Sequence, residues 1–132
     1  MKIYIAGPLF SHAEQAYNRA VQSCLEQLGI ETWLPQERAE GLTDPQAIRD
    51  NCIEGIIWAD HILAILDGAD ADSGTAFEMG YAHALGKAIH GLRTDFRGTG
   101  DDGGLNLMLS RSMVGVIDSV DALSHIAFLS WR

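Results

Sequence analysis

The sequence is poor in the residues that build metal sites and disulfide frameworks. Its two cysteines, Cys24 and Cys52, lie far apart and form no CxxC or Cys/His pattern. We therefore expect both to be small core residues in a reducing compartment. The five histidines form no HExxH motif, and no two of them stand four residues apart. The sequence accordingly predicts no metal site.

Positive charge and long apolar runs are also scarce. Nine Lys and Arg residues stand against 18 Asp and Glu residues, a formal net charge of -9. Such a surface repels phosphate backbones and anionic lipids, so we expect neither a nucleic-acid polymer nor a membrane as partner. No apolar run approaches the roughly 18 residues of a membrane span, and no charged-then-apolar leader opens the chain. A cytoplasmic location is expected.

What the chain does have is the composition of an ordinary globular protein. It contains 132 residues, of which 47% are apolar and 20% charged, and this length fits one domain over residues 1–132. A domain of this size buries roughly two-thirds of the surface of its unfolded chain. It can therefore fold without disulfide or metal staples.

The spacing of apolar residues predicts strands that alternate with helices. Short apolar or β-branched runs predict strands, at residues 2–6, 30–34, 61–66, 88–92 and 114–117. Helical spacing and capping residues predict helices, at residues 11–28, 45–59, 75–85, 105–111 and 120–129. Residues 36–43 and the glycine-rich segment 95–104 are expected to be loops.

This alternation predicts an α/β fold, a parallel sheet with helices on both faces and right-handed crossovers. Ligands of such sheets bind at the carboxyl ends of the strands. We therefore expect residues 7–10, 35–36, 67–74 and 98–104 to meet at that edge. The last of these segments, with residues 95–97, is a candidate lid.

Three acidic residues stand out as candidates for chemistry. Asp60 precedes the third strand, Asp72 follows it, and Glu78 falls in the first turns of the next helix. We expect the three carboxylates to share one rim, with Glu78 kept ionised by the helix N-terminus and hydrogen-bonded by Tyr4 and Tyr81. The alternative is structural: Asp72 or Ser73 caps the helix, Asp60 caps its neighbour and Glu78 is solvated.

Other catalytic patterns find little support. Gly7 and Gly74 suggest a phosphate cradle, but the chain has no GxGxxG and no P-loop lysine. No GxSxG elbow is present for a serine hydrolase. The tryptophans have no interleaved basic residues, so we expect them in the core or at an interface.

Four segments resemble the nucleoside 2-deoxyribosyltransferase family. They are YIAGPLF at residues 4–10, ADHILA at 59–64, DSGTAFEMGYA at 72–82 and LNLM at 105–108. The resemblance implies a flavodoxin-like three-layer fold with a five-stranded parallel sheet. It also implies an enzyme of nucleotide salvage, which exchanges the nucleobase of 2′-deoxynucleosides through a covalent sugar–enzyme ester and needs no cofactor.

The same resemblance assigns roles to individual residues. It makes Glu78 the nucleophile that attacks C1′, Asp72 the group that orients the sugar and protonates the leaving base, and Tyr4 the residue that positions Glu78. The remaining residues that it implies in substrate binding are Asp60, Gln36, Gly7, Phe10, Asn106 and Met108. Asp60 and Gln36 would contact the base, and Tyr4 and Phe10 would crowd C2′ and disfavour ribose. Asn106 would serve a neighbouring subunit's site, which implies at least a dimer with shared active sites.

The implied chemistry is that of a retaining glycosidase, in which one carboxylate traps the sugar and another acid assists departure. On this account Glu78 has an ordinary pKa of about 4.3, and repulsion from Glu78 raises the pKa of Asp72. The partners are then a deoxynucleoside and a free nucleobase, with slow hydrolysis as a side reaction.

Two other functions remain open from the sequence. The chain can be a nucleoside 5′-monophosphate N-glycosidase of the same fold, with Ser11, Arg19, Ser110 and Arg111 as a phosphate pocket. Asp72 disfavours it, because a carboxylate repels a phosphate dianion. The other is a non-catalytic nucleoside-binding module, which would not need an ionised Glu78 beside C1′.

Overall fold

Five parallel strands form a single sheet in the computed structural model, which describes residues 1–98 and 100–125. In chain order they are β1 (Lys2–Ala6), β2 (Glu31–Trp33), β3 (His61–Ile65), β4 (Ala88–Leu92) and β5 (Gly115–Ile117). Each strand boundary lies within one residue of its prediction. The apolar runs were therefore sufficient to locate the sheet.

The strand order is β2-β1-β3-β4-β5, the flavodoxin-like order of doubly wound sheets. The chain runs from β1 to β2 on one side, then crosses to β3 on the other. Residue Lys2 of β1 lies beside Glu31 of β2, and Ile3 lies beside His61 of β3. Because the connections that follow β1 and β3 run in opposite directions, a crevice opens at the carboxyl ends of these two strands. Folds of this kind bind their ligands there.

The helices begin at capping residues that the sequence displays. They are α1 (His12–Gln27), α2 (Pro35–Arg38), α3 (Pro45–Trp58), α4 (Ser73–Ala84) and α5 (Leu107–Ser110). Ser11 and Glu14 form a capping box at α1, and Asp44 caps α3 ahead of Pro45. Gly29 ends the turn after α1 with a φ of +79°, a conformation that glycine adopts without strain.

Alternation along β1 sends its side chains into two separate cores. Ile3 and Ile5 point towards the core that includes Val21 and Leu25 of α1. Tyr4 and Ala6 point to the opposite face, into the core built with α3 and α4. Because side chains alternate along a strand, the tyrosine of β1 necessarily faces α4. This alternation positions the site described below.

Close packing of α3 against β2 depends on a glycine. A Cβ atom at Gly55 would lie 2.5 Å from the Trp33 ring, closer than any two such atoms approach. The Trp33 ring also packs against Trp58, with 5.6 Å between the ring centroids. Trp33 of β2 thus lies in the core and Trp58 of α3 packs against it, as expected of core aromatics, while Trp131 lies outside the described residues.

Two segments differ from the predictions. Residues 36–43 were expected to form a loop, but α2 occupies Pro35–Arg38, because proline at the first helical position starts a turn as well as ending a strand. The last helix, predicted over 120–129, is helical at 123–125, and its remainder from 126 lies outside the described residues. No helix in the part of the chain described here is long and apolar enough to cross a membrane.

Candidate active site

A cavity of about 260 Å³ opens at the carboxyl edge of the sheet, beside the β1–β3 crevice. Its walls come from the loop after β1, the start of α2, the inner face of α3 and the first turns of α4. The lining residues are Gly7, Leu9, Phe10, Pro35, Ile48, Arg49, Cys52, Ile53, Asp72, Gly74, Phe77 and Glu78. Apolar side chains dominate these walls. Two of the three acids that were predicted as candidates for chemistry, Asp72 and Glu78, also line the cavity.

Tyr4 and Glu78 are joined directly at this cavity. Tyr4 is completely buried in β1, and its hydroxyl donates a hydrogen bond to Oε2 of Glu78. Burial, followed by the nearby Glu78 charge, raises the pKa of Tyr4 well above its usual value. Tyr4 therefore stays protonated and acts as a permanent donor to the carboxylate. Tyr81, the other predicted donor, instead packs its ring against Phe77.

The environment of Glu78 raises its pKa to about 7. Burial is the largest cause, the hydrogen bond from Tyr4 opposes it, and the charge of Asp72 adds to it. The expectation of an ordinary pKa near 4.3 was therefore wrong. Glu78 lies in the second turn of α4, beyond the first turn where a helix dipole acts strongly, so desolvation decides its protonation.

Asp72 has a structural role and also lines the cavity. Its Oδ2 accepts hydrogen bonds from the backbone N–H of Thr75, at 3.0 Å, and from the Thr75 hydroxyl, at 3.2 Å. These contacts make Asp72 the N-cap of α4. The capping alternative raised from the sequence thus holds for Asp72, while its carboxylate also lies at the wall that carries Glu78.

Asp60 does not share a rim with these two acids. It directly precedes β3, and its carboxylate accepts a 2.9 Å hydrogen bond from the backbone N–H of Lys2 at the start of β1. The amino ends of β1 and β3 therefore hold Asp60, whereas the loop after β3 holds Asp72. A five-residue strand separates the two positions by roughly 15 Å. The expectation of three carboxylates on one rim was wrong.

Gln36 also lies outside the cavity. Its side-chain amide donates to the backbone oxygen of Gln15, at 3.0 Å, and accepts from Asn18 at 3.0 Å. Both groups of the amide are thus used to fix α2 against α1. Pro35, its neighbour, is the α2 residue that lines the cavity.

Gly7 and Phe10 belong to the cavity, and each has a clear physical reason for its position. A Cβ atom at Gly7 would lie 3.0 Å from Cβ of Ile65, so a glycine lets the loop pass close to β3. Phe10 leaves 78% of its surface exposed at the mouth. An exposed aromatic ring there is available to cover a flat ligand.

Asn106, at the start of α5, and Met108, within α5, are not among the residues that line this chain's own cavity. The Asn106 side chain caps α5 by accepting from the backbone N–H of Met108 at 2.8 Å. Asn106 also lines a shallow depression with Ala69, Asp70, Gly100 and Asp101. Met108 is 69% exposed on the same short helix.

The four residues considered for a phosphate pocket are used elsewhere or lie apart. Ser11 caps α1, and Arg19 is exposed on the same helix. Ser110 and Arg111 both contact the carboxylate of Asp102, the arginine at 2.8 Å. The structure does not bring the four together.

The inner face of α3 is the part of the site that sequence reasoning missed. The cavity is lined by Ile48, Arg49, Cys52 and Ile53, and Cys52, which carries a free thiol, packs against the core that contains Tyr4. Burial raises the pKa of this thiol, so the group is neutral. The i, i+4 spacing of 48 with 52 and of 49 with 53 was the available signal.

Comparison with known proteins agrees with this architecture. The family model for nucleoside 2-deoxyribosyltransferase matches residues 3–110. A 2-deoxyribosyltransferase structure from Leishmania mexicana is 31% identical, with 98% of each chain covered and a TM-score of 0.80. The 2-deoxyribosyltransferase of Bacillus psychrosaccharolyticus superposes with a TM-score of 0.85 at 24% identity, covering 97% of this chain and 93% of that one. No curated protein sequence gives a significant match.

The fold and the crevice define a flavodoxin-like α/β protein with a site at the carboxyl edge of its sheet. Within that class, the chain belongs to the nucleoside 2-deoxyribosyltransferase family. A more distant fold neighbour is the CMP N-glycosidase of Clostridium botulinum, with 16% identity, a TM-score of 0.64 and 98% of each chain covered.

Proposed function

We propose that this protein exchanges the nucleobase of 2′-deoxynucleosides, with Glu78 as the nucleophile. The observation that carries the proposal is the Tyr4–Glu78 pair: a buried, permanently protonated hydroxyl holds a carboxylate at the wall of a nucleoside-sized apolar cavity. A carboxylate in such a place costs several kcal/mol unless it is paired or used. Surface or purely structural roles do not account for that cost.

The proposed reaction has two halves. In the first, the ionised carboxylate of Glu78 attacks C1′, the N-glycosidic bond breaks, and Asp72 supplies the proton that the departing base takes up. The product is a deoxyribosyl ester of Glu78. In the second, a ring nitrogen of an incoming base attacks C1′, the ester bond breaks, and the proton of that nitrogen returns to Asp72.

Hydrogen bonds position both of the carboxylates that take part in this chemistry. Tyr4 donates to Oε2 of Glu78, which fixes the carboxylate and leaves Oε1 for attack on the sugar. The hydrogen bonds from Thr75 hold the carboxylate of Asp72 through Oδ2. Positioning of this kind accounts for a large share of the rate of such reactions.

The proposal includes an assembly of at least two chains. Asn106 caps α5 outside the cavity of its own chain, and Leu107 and Met108 beside it are exposed. A neighbouring chain that places its Asn106 at the cavity mouth would complete the site at the 5′-hydroxyl. The expected result is an oligomer in solution in which an Asn106→Ala chain complements a Glu78→Gln chain.

Base exchange is tested by supplying 2′-deoxyinosine with and without free adenine and separating the products by chromatography. The proposal expects 2′-deoxyadenosine only when adenine is present, and no product with Glu78→Gln. The exposed Glu54→Gln variant is the matched control. Release of hypoxanthine at the same rate with and without adenine, and no new nucleoside, would contradict base exchange.

Nucleotide hydrolysis is the second candidate, because the fold is shared with a CMP N-glycosidase. It is disfavoured by Asp72 at the cavity, which repels a 5′-phosphate. 2′-Deoxyinosine 5′-monophosphate in the same assay separates the two: faster hydrolysis of the nucleotide than exchange of the nucleoside would favour the hydrolase.

A further inference from the structure

Arg49 is the single cationic side chain among the described residues that line the Glu78 cavity. The other charged groups there are the carboxylates of Asp72 and Glu78, both contributed by the α4 side. The rest of the lining is largely apolar. In a largely apolar pocket, the few polar side chains fix the orientation of the ligand. The guanidinium of Arg49 can therefore bind and orient a polar part of the ligand.

The position of Arg49 along α3 relates it to the reacting end of the cavity. Cys52, on the same face of α3, packs against the buried core that contains Tyr4, whose hydroxyl in turn binds Glu78. Ile48 and Arg49 lie about one turn before Cys52 and Ile53, a rise of roughly 5.4 Å along the wall. A nucleobase extends over a comparable length from C1′. With the sugar at Glu78, Arg49 is therefore within reach of the far edge of the base.

Arg49 is also available to bind a ligand. Its ion pair is with the adjacent residue Asp50, at 3.4 Å, and both side chains are 57% exposed. Pairs of this exposed kind contribute little. The carboxylate of Asp50 also accepts a hydrogen bond from the amide of Gln46, at 2.8 Å. If Arg49 turned to a ligand, the exposed Asp50 would therefore keep a partner.

We propose that Arg49 recognises the oxo edge of the nucleobase and makes the site selective for 6-oxopurines over adenine. This inference rests on the proposed function, because Glu78 at C1′ fixes the direction of the base. Guanidinium is a planar fork of donors with no acceptor. It pairs with the adjacent O6 and N7 acceptors of hypoxanthine or guanine, whereas adenine presents an amino donor in place of O6.

The test compares 2′-deoxyinosine with 2′-deoxyadenosine as deoxyribosyl donors, with cytosine as the common acceptor. The wild-type protein is expected to prefer 2′-deoxyinosine in kcat/KM by about tenfold, the lower-middle range for one bidentate base contact. Arg49→Ala is expected to abolish this preference. Arg49→Lys keeps the charge without the planar fork and is expected to lose most of it. Arg19→Ala, an exposed arginine of α1 outside the cavity, should leave the preference unchanged.

Two results would overturn the inference. An unchanged donor preference in Arg49→Ala shows that Arg49 does not recognise the base. An Arg49→Ala protein that loses turnover of 2′-deoxyinosine 5′-monophosphate but keeps turnover of both nucleosides shows that Arg49 binds the 5′-phosphate instead.

Binding of free hypoxanthine and free adenine, measured by calorimetry, separates this inference from the proposed function. If no donor is turned over, the proposed function fails. Hypoxanthine binding that weakens about tenfold in Arg49→Ala would still support base recognition. Hypoxanthine binding that is absent, or equal in the two proteins, would contradict it.

Discussion

The hydroxyl of Tyr4, buried in β1, donates a hydrogen bond to Oε2 of Glu78 in the second turn of α4. This contact joins the strand at the centre of the β1–β3 crevice to the helix that follows β3. It exists because strand alternation turns Tyr4 towards α4 while Ile3 and Ile5 pack against α1. The chemistry proposed here begins with this pair.

The rate of base exchange should follow the ionisation of Glu78. With a pKa of about 7 in the free protein, the attacking carboxylate is mostly protonated at pH 6 and mostly ionised at pH 8. We expect kcat/KM to fall about tenfold per pH unit below pH 7, because the attacking carboxylate is then protonated. Initial rates between pH 5 and pH 9 measure this limb. A flat profile between pH 5 and pH 7 would contradict it.

Tyr4→Phe should move the fall in kcat/KM at low pH, the acid limb of the pH profile, to higher pH. The Tyr4 hydrogen bond stabilises the ionised form of Glu78 and lowers its pKa against the effect of burial. Its removal should raise the midpoint of the limb by about one pH unit, the value of one hydrogen bond to a charged group. Tyr81→Phe is the matched control, and its midpoint should equal that of the wild type.

Glu78→Gln should stabilise the fold at high pH while it abolishes exchange. Because the folded-state pKa of Glu78 is raised, the folded protein binds this proton more tightly than the unfolded chain does. The stability contribution of Glu78 is present at low pH and is lost as pH rises towards 7 and above.

Denaturant unfolding at pH 8 and at pH 5 tests this linkage. The Gln side chain carries no charge and still accepts from Tyr4, so the variant should gain about 1–3 kcal/mol at pH 8 and little at pH 5. Glu54→Gln, at an exposed position, should change neither value. A Glu78→Gln protein that is less stable at pH 8 would argue against a desolvated carboxylate.

His90 should make the fold sensitive to acid. It is 2% exposed in β4, and burial, followed by the neighbouring His61, lowers its pKa to about 4. Between pH 6.5 and pH 4 the unfolded chain takes up a proton that the folded state resists, so stability falls by about 1 kcal/mol per pH unit. The free energy of unfolding of His90→Gln should fall less steeply over this range than that of His83→Gln, an exposed control.

A pair of glycine substitutions tests the packing of α3 on β2. Gly55→Ala would place a Cβ atom 2.5 Å from the Trp33 ring, and we expect a loss of about 1–3 kcal/mol. Gly80→Ala, in α4, meets nothing within 4 Å and should stabilise the helix by about 0.5–1 kcal/mol. Thermal unfolding of the two variants should therefore shift in opposite directions.

Sequence reasoning located the sheet and the two acids of the cavity, because both follow from local signals. Apolar runs bounded by Gly and Pro fix the strands, and Asp72 and Glu78 follow β3 directly along the chain. It failed for Asp60, since a residue before a strand lies at the opposite edge from one after it. It also missed Arg49 and Cys52, whose positions depend on how α3 packs over β1.

The raised pKa of Glu78 could not be predicted from the sequence. The sequence shows that Phe77 and Met79 flank Glu78 along the helix, but not how deeply the carboxylate is desolvated. That depth comes from α3 and the loop after β1, which are distant in the chain. Only the assembled cavity determines it.

Intact-protein mass spectrometry tests the central claim most directly. The protein is incubated with a 2′-fluorinated deoxynucleoside that forms the ester but releases it slowly, and the labelled peptide is then sequenced. The account predicts one added fluorinated sugar per chain, located on Glu78 and absent from Glu78→Gln. Turnover of natural deoxynucleosides without any adduct, or an adduct on another residue, would contradict it.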